Sequence, residues 1–563
     1  MKKRSQLYAA IADKLAATCD TTIDPEGRQH GDPAAHGPLW DGTVYYCIGE
    51  MMRVRGVPPH EIQGRDYVAI AQALISRWEA LDALKGCFAA MGLAMLGPDG
   101  PEHPILGGLS AEQRAKVEQT LRVTQEFPHN WEVFNASLRV ARHILWGDDP
   151  ALALPHLRKL VKKYEESGYF DDSAASGDYN NYGLMTINFA LRLSEFLPPH
   201  HAVREEIEAL FRPHALRYFE LLKLFIGPRG EGWFFGRSSG VLGQMQCLSY
   251  LEQLLSKGWF SADDAAWARR ACRSLLQYME DVFWDEEGQW FLFRDDHRQC
   301  YVYRTTLPMN WDLWRYFLQL EAYAKLDEEL PQDAPPSVPC EPVCQEVITN
   351  AERHTTYLVW SDGEIKWQMP VMGGPKVMAG DNLPRPYLPG LFEWVTGMDV
   401  VPALCPEFVF DGVKGWPAWW PASTKLTADG DNWRYVVEYP SLCNADGEAL
   451  SWPIAITAEY HFGKGFFERI DHIHVRDDLT LDSMRIEVLQ GAPHPKSRRY
   501  PTVYPLNSAM QSNLPGVATS EVDVSADPRY RNYYAHPTKS YVLSGKGVVL
   551  APGEYELRTL IRW

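Results

Sequence analysis

Seven residues, GDYNNYG (Gly177–Gly183), gather one acid, two tyrosines and two amides, and the apolar run LMTINFALRL follows at once. Asp178 or Asn180 can cap the helix that this run predicts, because a short polar side chain accepts a bond from the first backbone N–H groups. Capping uses one residue, or two, and leaves Tyr179, Asn181 and Tyr182. A tyrosine of shifted pKa exchanges a proton, and an amide holds a carboxylate or a hydroxyl. Asp172, in YFDD (Tyr169–Asp172) just upstream, adds a carboxylate. Asp172, Asp178, Tyr179 and Tyr182 are the catalytic candidates.

Three further segments share the form of polar or aromatic residues at the head of an apolar helix. HNWEVFN carries Asn130, Trp131 and Asn135. Trp131 and Asn135, four apart, share a helix face. Asn130 suits an N-cap as well as a ligand, whereas Asn135 beside an apolar stripe needs a partner or a cavity. GEGWFFGRSSG carries Arg237, whose planar guanidinium fits a carboxylate with two bonds or caps a helix C-terminus. A helix beginning at Ser238 offers backbone N–H groups to an anion. HGPLWDG places Asp41 before the run TVYYCIGEMM. The substrate-binding candidates are therefore Asp41, Asn130, Trp131, Asn135, Asn181, Arg237 and Ser238. YRTTLPMNWDLWRY (Tyr303–Tyr316) is a fifth, weaker segment of this form.

Other chemistries find no support. No nucleotide-binding glycine fingerprint, Walker sequence, HExxH or GxSxG elbow occurs. His472 and His474 in HIH share one face of a strand, and two ligands do not make a metal site. The ten cysteines are scattered, and the close pair in CEPVC (Cys340, Cys344) lacks a second pair of matching spacing. No metal and no cofactor is expected. A net charge of −18 without a Lys/Arg-rich run argues against nucleic acid. The start MKKRSQLYAAIADKLAATCD is interrupted by Asp13 and Lys14, unlike a signal peptide, and no run is long enough to span a bilayer. A cytoplasmic protein with no membrane partner is the expectation. The 20 Trp residues serve first a large aromatic core, and they also suit sugar rings, which pair apolar faces with polar edges.

These groups must be positioned by two kinds of element. From residue 1 to 325 the chain reads as successive helices, for example WEVFNASLRVARHIL, where Phe134, Leu138, Ala141 and Leu145 recur at helical spacing. RDYVAIAQALISRWEALDALKGCFAAMGLAML, from Arg65, reads as one long helical run. Residues 326–350 are Pro-rich and aperiodic, the pattern of a linker. From 351 to 563, short β-branched and aromatic runs alternate with turn residues, and GKG in HFGKGFFERI predicts a hairpin. The long Gly/Pro-rich stretch Gly373–Trp394 reads as interdomain packing or a functional loop. The fold class is α then β: a helical catalytic domain followed by an antiparallel β-sandwich.

In order and spacing, the helical segments resemble an (α/α) toroid family of bacterial carbohydrate-active proteins, long labelled a domain of unknown function, that includes β-glucuronidases. The resemblance covers residues 5–325. It rests on Asp41 and Gly42 before a helix, on Asn130, Trp131 and Phe134, on Asp178 and Tyr179 with Asn181, and on Gly236–Ser238. The whole layout is also similar to toroid-plus-sandwich polysaccharide lyases of the chondroitin, hyaluronan and heparin type. These resemblances imply a toroid, incomplete or of six hairpins, and a uronic-acid-containing oligosaccharide whose carboxylate Asn130 and Arg237 bind. They imply either hydrolysis, with acids drawn from Asp41, Glu132, Asp171, Asp172 and Asp178, or β-elimination through Tyr179 and Tyr182. An exo-acting, β-glucuronidase-like hydrolase suits a cytoplasmic protein best. A non-catalytic sugar-binding protein is the third possibility. Where relatives continue the GRS triplet with polar and aromatic residues, this chain has SGVLGQ.

Overall fold

The computed structural model describes residues 2–30, 38–76, 78, 83–122, 126, 130–167, 169, 181–232, 241–292, 306–327, 338, 340–350, 355–363, 366–371, 391–392, 394–396, 399–401, 404–444, 446–493, 507–526 and 535–562. Among the described residues, twelve α-helices occupy the first part: α1 Arg4–Asp20, α2 Pro38–Arg55, α3 Tyr67–Ser76, α4 Ala83–Ala94, α5 Ala111–Leu121, α6 Glu132–Trp146, α7 Leu154–Ser167, α8 Asn181–Ser194, α9 Ala202–Phe225, α10 Val241–Ser256, α11 Ala262–Phe283 and α12 Thr306–Leu326. Local chemistry starts several of them. Ser110 and Gln113 form a reciprocal capping box at α5, and Ser261 accepts from the Asp264 amide at α11. The apolar run from Arg65 divides into α3 and α4, since α3 ends at Ser76 and α4 begins at Ala83.

The even-numbered helices pack in a cycle: α2 on α4, α4 on α6, α6 on α8, α8 on α10, α10 on α12, and α12 back on α2. Odd-numbered helices pack against them, α1 on α12, α7 on α6, α9 on α8 and α11 on α10. Contacts climb together along neighbours in the ring. Between α2 and α12, Cys47 meets Trp311, Glu50 meets Gln319 and Arg55 meets Glu321. Between α8 and α10, Asn188 meets Ser249 and Glu195 meets Gln253. These neighbours therefore run parallel, with their N-termini at one end. A ring helix is covered on every side, and in α10 each residue from Val241 to Leu255 is buried.

A short hairpin, β1 Trp284–Asp285 with β2 Trp290–Phe291, precedes α12. Then β3 Val343–Asn350, β4 Thr355–Ser361 and β5 Lys366–Val371 form an antiparallel sheet. Strand β3 thus occupies the end of the stretch expected as linker. The next strands are short: β6 Leu391–Phe392, β7 Trp394–Thr396, β8 Asp399–Val401, β9 Glu407–Phe410 and β10 Val413–Gly415. Longer ones follow: β11 Ser423–Asp429, β12 Asn432–Tyr439, β13 Ile454–Gly463, β14 Phe466–Val475, β15 Leu479–Pro493, β16 Asn507–Ser512, β17 Val517–Asp523, β18 Ala535–Leu550 and β19 Gly553–Arg562. One six-stranded sheet has the order β11-β12-β13-β14-β19-β16, and another runs β10-β9-β15-β18-β17 with β6 beside β15.

The GKG signal closes the β13–β14 hairpin, where Gly463 pairs with Phe466 and Gly465 takes φ +82°, a conformation that favours glycine. Strand β13 alternates strictly, burying Ile454, Ile456, Ala458, Tyr460 and Phe462. Ile456 and Ile473 of one sheet share an apolar core with Met484, Ile486 and Leu543 of the other. Two sheets joined through one core is the arrangement a β-sandwich requires. Of the stretch Gly373–Trp394, residues 373–390 and 393 lie outside the described residues.

The strand-rich part meets the helices at the end of α9. Lys366 of β5, buried, donates to the carbonyls of Ile226 at 2.9 Å and Lys223 at 3.3 Å, satisfying acceptors that a helix C-terminus leaves open. The rings of Phe225 and Tyr357 pack beside this cap, 5.5 Å apart.

Candidate functional site

Each polar segment sits where an even-numbered helix begins. Asp41 belongs to the first turn of α2, Asn130 and Trp131 precede α6, Asn181 opens α8, and the GRSSG segment ends where α10 starts at Val241. The starts of α2, α8, α10 and α12 lie at one end of the ring, because the C-terminal halves of these four helices meet one another.

At the opposite end, the C-terminal halves of the ring helices hold a buried polar network. Glu50 accepts from Arg192 at 2.5 Å, Arg53 at 2.9 Å and Gln319 at 2.9 Å. Burial alone would raise the Glu50 pKa, but Arg192 and Arg53 outweigh it and hold the carboxyl below its ordinary value. Gln253 donates to Glu195 at 3.0 Å and Tyr323 at 3.2 Å, and accepts from Asn188 at 3.0 Å. At this end Glu50, Glu195 and Gln253 are each engaged by several partners.

An aromatic layer lies above it. Phe88, Phe134 and Phe189 from three ring helices meet with centroids 5.6–6.0 Å apart. Arg315 of α12 lies among rings, 4.0 Å from the centroid of Tyr316, 4.8 Å from Tyr46, 5.2 Å from Phe88 and 5.5 Å from Phe189. Its Nε donates to Asp312 at 2.6 Å. Burial works against this charge, yet Asp312 and the tyrosines outweigh it and hold the guanidinium above its ordinary pKa. Burial pushes the Tyr316 hydroxyl up to about 12.

The N-terminal end is chemically different. Asn130 is 0% exposed, and both its amide atoms have no hydrogen-bond partner among the described residues. Its backbone carbonyl accepts from Val133 at 3.0 Å, so its main chain starts α6 while its side chain caps nothing. Gln246 of α10 is equally buried, with both amide atoms unpartnered among the described residues. Tyr182, buried, stands seven residues before Phe189 and so on the aromatic face of α8. Asn181 holds the corresponding place seven residues before Asn188. Trp131 is half-buried and packs on the core.

Asn135 is buried and donates to Glu132 at 3.1 Å. Glu132 in turn lies 2.7 Å from His156 Nδ1 and accepts from Lys159 at 2.6 Å, both on α7. That carboxylate is committed to the contact between α6 and α7. Asp41 and Asn181 are placed by backbone alone. Asp171, Asp172, Asp178, Tyr179, Arg237 and Ser238 lie outside the described residues. Sequence reasoning missed Gln246 and gave Arg315 no role. The available signal for Gln246 was a glutamine seven residues before Gln253 in a helix otherwise rich in apolar residues.

Packing behind α8 fixes how its first turn enters the ring. Tyr164 donates to the Gly183 carbonyl at 2.9 Å, and a Cβ on Gly183 would lie 2.1 Å from the Tyr218 hydroxyl. Tyr164, Tyr218 and His214 pack together here, and burial lowers the His214 pKa. Gly183→Ala is therefore expected to destabilise the protein by about 1–3 kcal/mol in urea unfolding, through overpacking. A double-mutant cycle with Tyr218→Leu should return a coupling of about 1 kcal/mol.

No group of three or more His, Cys, Asp or Glu among the described residues could hold a metal ion. His472 and His474 lie on one face of β14, paired with Glu459 and Glu554 respectively. Cys340 and Cys344 of the close pair are both free thiols. No described helix is long and apolar enough to cross a membrane.

No protein-family model matches the chain, and no curated protein matches it in sequence. Solved structures resemble it weakly. A glycosyl hydrolase family 88 protein from Bacteroides vulgatus is 13% identical with a TM-score of 0.40, covering 57% of this chain and 99% of its own. The heparan sulfate lyase of Pedobacter heparinus is 10% identical with a TM-score of 0.43, over 99% of this chain and 82% of its own. The chondroitin AC lyase of Streptomyces coelicolor A3, in complex with chondroitin sulphate, is 11% identical with a TM-score of 0.48, over 99% and 79%. Likenesses at this level assign neither fold nor activity to the chain.

Proposed function

We propose that the protein is a carbohydrate-active enzyme that hydrolyses uronic-acid-containing oligosaccharides from the end, in the manner of a β-glucuronidase. On this reading residues 1–325 form an (α/α) toroid that carries the site, 326–350 a linker, and 351–563 an antiparallel β-sandwich. The observation that supports it is Asn130. A buried amide left unpaired costs about 1–3 kcal/mol, so a fully buried carboxamide with neither end bonded suits a group kept for a ligand. Its N–H donors match a sugar carboxylate and its oxygen matches a hydroxyl. The helix N-termini add positive potential near it, which favours an anion. The aromatic layer beneath offers flat apolar surface to the C–H face of a pyranose.

Hydrolysis needs a general acid and a second carboxylate. We assign these roles to Asp178 and Asp172, with Asp41, Asn181, Arg237 and Ser238 contacting the sugar alongside Asn130, Trp131 and Asn135. Tyr179 and Tyr182 flank the proton transfer. β-Elimination is the second reading, and one observation favours it. Among the described residues, the buried groups without a partner in the first halves of α8, α10 and α12 and before α6 are the amides of Asn130, Gln244 and Gln246, the Thr186 hydroxyl and the Trp314 indole, none of them a carboxylate, and Glu132 is held by Lys159 and His156. An amide that neutralises the carboxylate, with a tyrosine as base, is what that reaction asks for.

Glucuronide-capped oligosaccharides separate the readings. Release of saturated uronic acid supports hydrolysis. A 4,5-unsaturated product, seen by its ultraviolet absorbance, sinks hydrolysis in favour of elimination. Binding without either product reduces the protein to a sugar-binding one.

A further inference from the structure

Gln246 belongs to the ring interior by register. Residues seven apart lie on one helix face, and Gln253, seven residues later on α10, reaches Glu195 and Asn188 of the α8 segment and Tyr323 of α12. The face that carries both glutamines thus points between α8 and α12 and into the ring. Ser249, three residues beyond Gln246, touches Asn188 at 3.4 Å. Seven residues before Asn188 stands Asn181, the first residue of α8 and part of GDYNNYG. Position 246 on α10 and position 181 on α8 are therefore each seven residues up from the pair that meets at Gln253 and Asn188. Gln244 lies on the opposite side of α10, where its Oε1 would be 2.7 Å from a Cβ on Gly232.

The contrast between the two glutamines is chemical. Gln253 has its donor and its acceptor engaged. Gln246, only 2% exposed, has neither engaged among the described residues. An unpaired carboxamide is a donor and an acceptor side by side, and a sugar hydroxyl is the same pair in reverse. An uncharged amide adds little to the attraction of a carboxylate, but it penalises a ligand that leaves it unpaired.

We infer that Gln246 is a specificity-determining residue of the proposed site and reads one ring hydroxyl of the uronic acid. The inference rests on the uronic-acid reading above. Its place on α10, beside the first turn of α8, puts that hydroxyl on the side of the sugar facing that turn.

The test is kcat/KM of the wild type and of Gln246→Leu on an aryl glucuronide, its 2-, 3- and 4-deoxy analogues and the 4-epimer. Wild type is expected to reject one deoxy analogue by about 100-fold or more, as a site built to bond a hydroxyl does. Gln246→Leu should erase that one penalty, leave the others, and unfold at no lower urea concentration. Gln246→Met, of similar length but with neither donor nor acceptor, supplies the comparison if the leucine variant does not fold, and should shrink the same penalty. Penalties unchanged in the folded variant overturn the inference while the uronic-acid reading stands. A wild type that turns over no glucuronide fails that reading itself, and the inference with it.

Discussion

Asn130→Leu is expected to lower kcat/KM on a glucuronide by about 10- to 100-fold, the scale of one lost hydrogen bond to a charged group. Its stability should hold or rise. Leucine nearly matches asparagine in shape, the Asn130 carbonyl would still accept from Val133, and a buried amide without a partner would be gone. An ordinary core substitution moves the two quantities the other way, with stability falling and specific activity persisting. Urea unfolding beside steady-state kinetics separates the cases. Normal kcat/KM with a loss above about 1 kcal/mol would make Asn130 a structural residue.

Arg4→Met is expected to destabilise the protein by about 3–5 kcal/mol, because it strands a buried carboxylate. Arg4 is 2% exposed and Glu252 fully buried, with Nε and Oε1 2.7 Å apart, and Tyr8 donates to the same oxygen at 2.6 Å. Burial opposes the charge of Arg4, but Glu252 beside it outweighs that and holds the guanidinium above its ordinary pKa. Arg4 also meets Asp327 at 3.0 Å, so the first helix is tied to α10 and to the end of the last. Asp327 is pushed up by burial and down more strongly by Arg269 and Arg4. A depressed carboxyl pKa means that its share of stability is present above the unfolded pKa and lost as pH falls through the folded one. Adding Glu252→Leu to Arg4→Met should recover much of the loss, since apolar replacement of a whole buried pair is often neutral. A single-variant cost under about 1 kcal/mol would show the pair to be dispensable.

Local order was written plainly in the sequence. Helical spacing in WEVFNASLRVARHIL became α6, and GKG became the β13–β14 turn. The HIH alternation put Ile473 in the core and its two histidines on the other face. Each of these depends on contacts within a few residues, where propensity and period act directly. The run from Arg65 holds two helices, and period alone does not separate α3 from α4 because both are apolar.

The site was legible only in part. Polar residues at the heads of apolar helices were visible, and so was their order. That Glu132 would be held by Lys159 and His156 was not, because those residues face it from another helix. Gln246 was hidden for a related reason. Periodicity reveals a face when one side of a helix meets water, and α10 meets protein on every side. The sequence by itself determined the division into helices and then strands, most of their members, and which polar groups stand at helix starts. Only the closed packing of the even-numbered helices decided which of those groups come together, and which buried amides are left without a partner among the described residues.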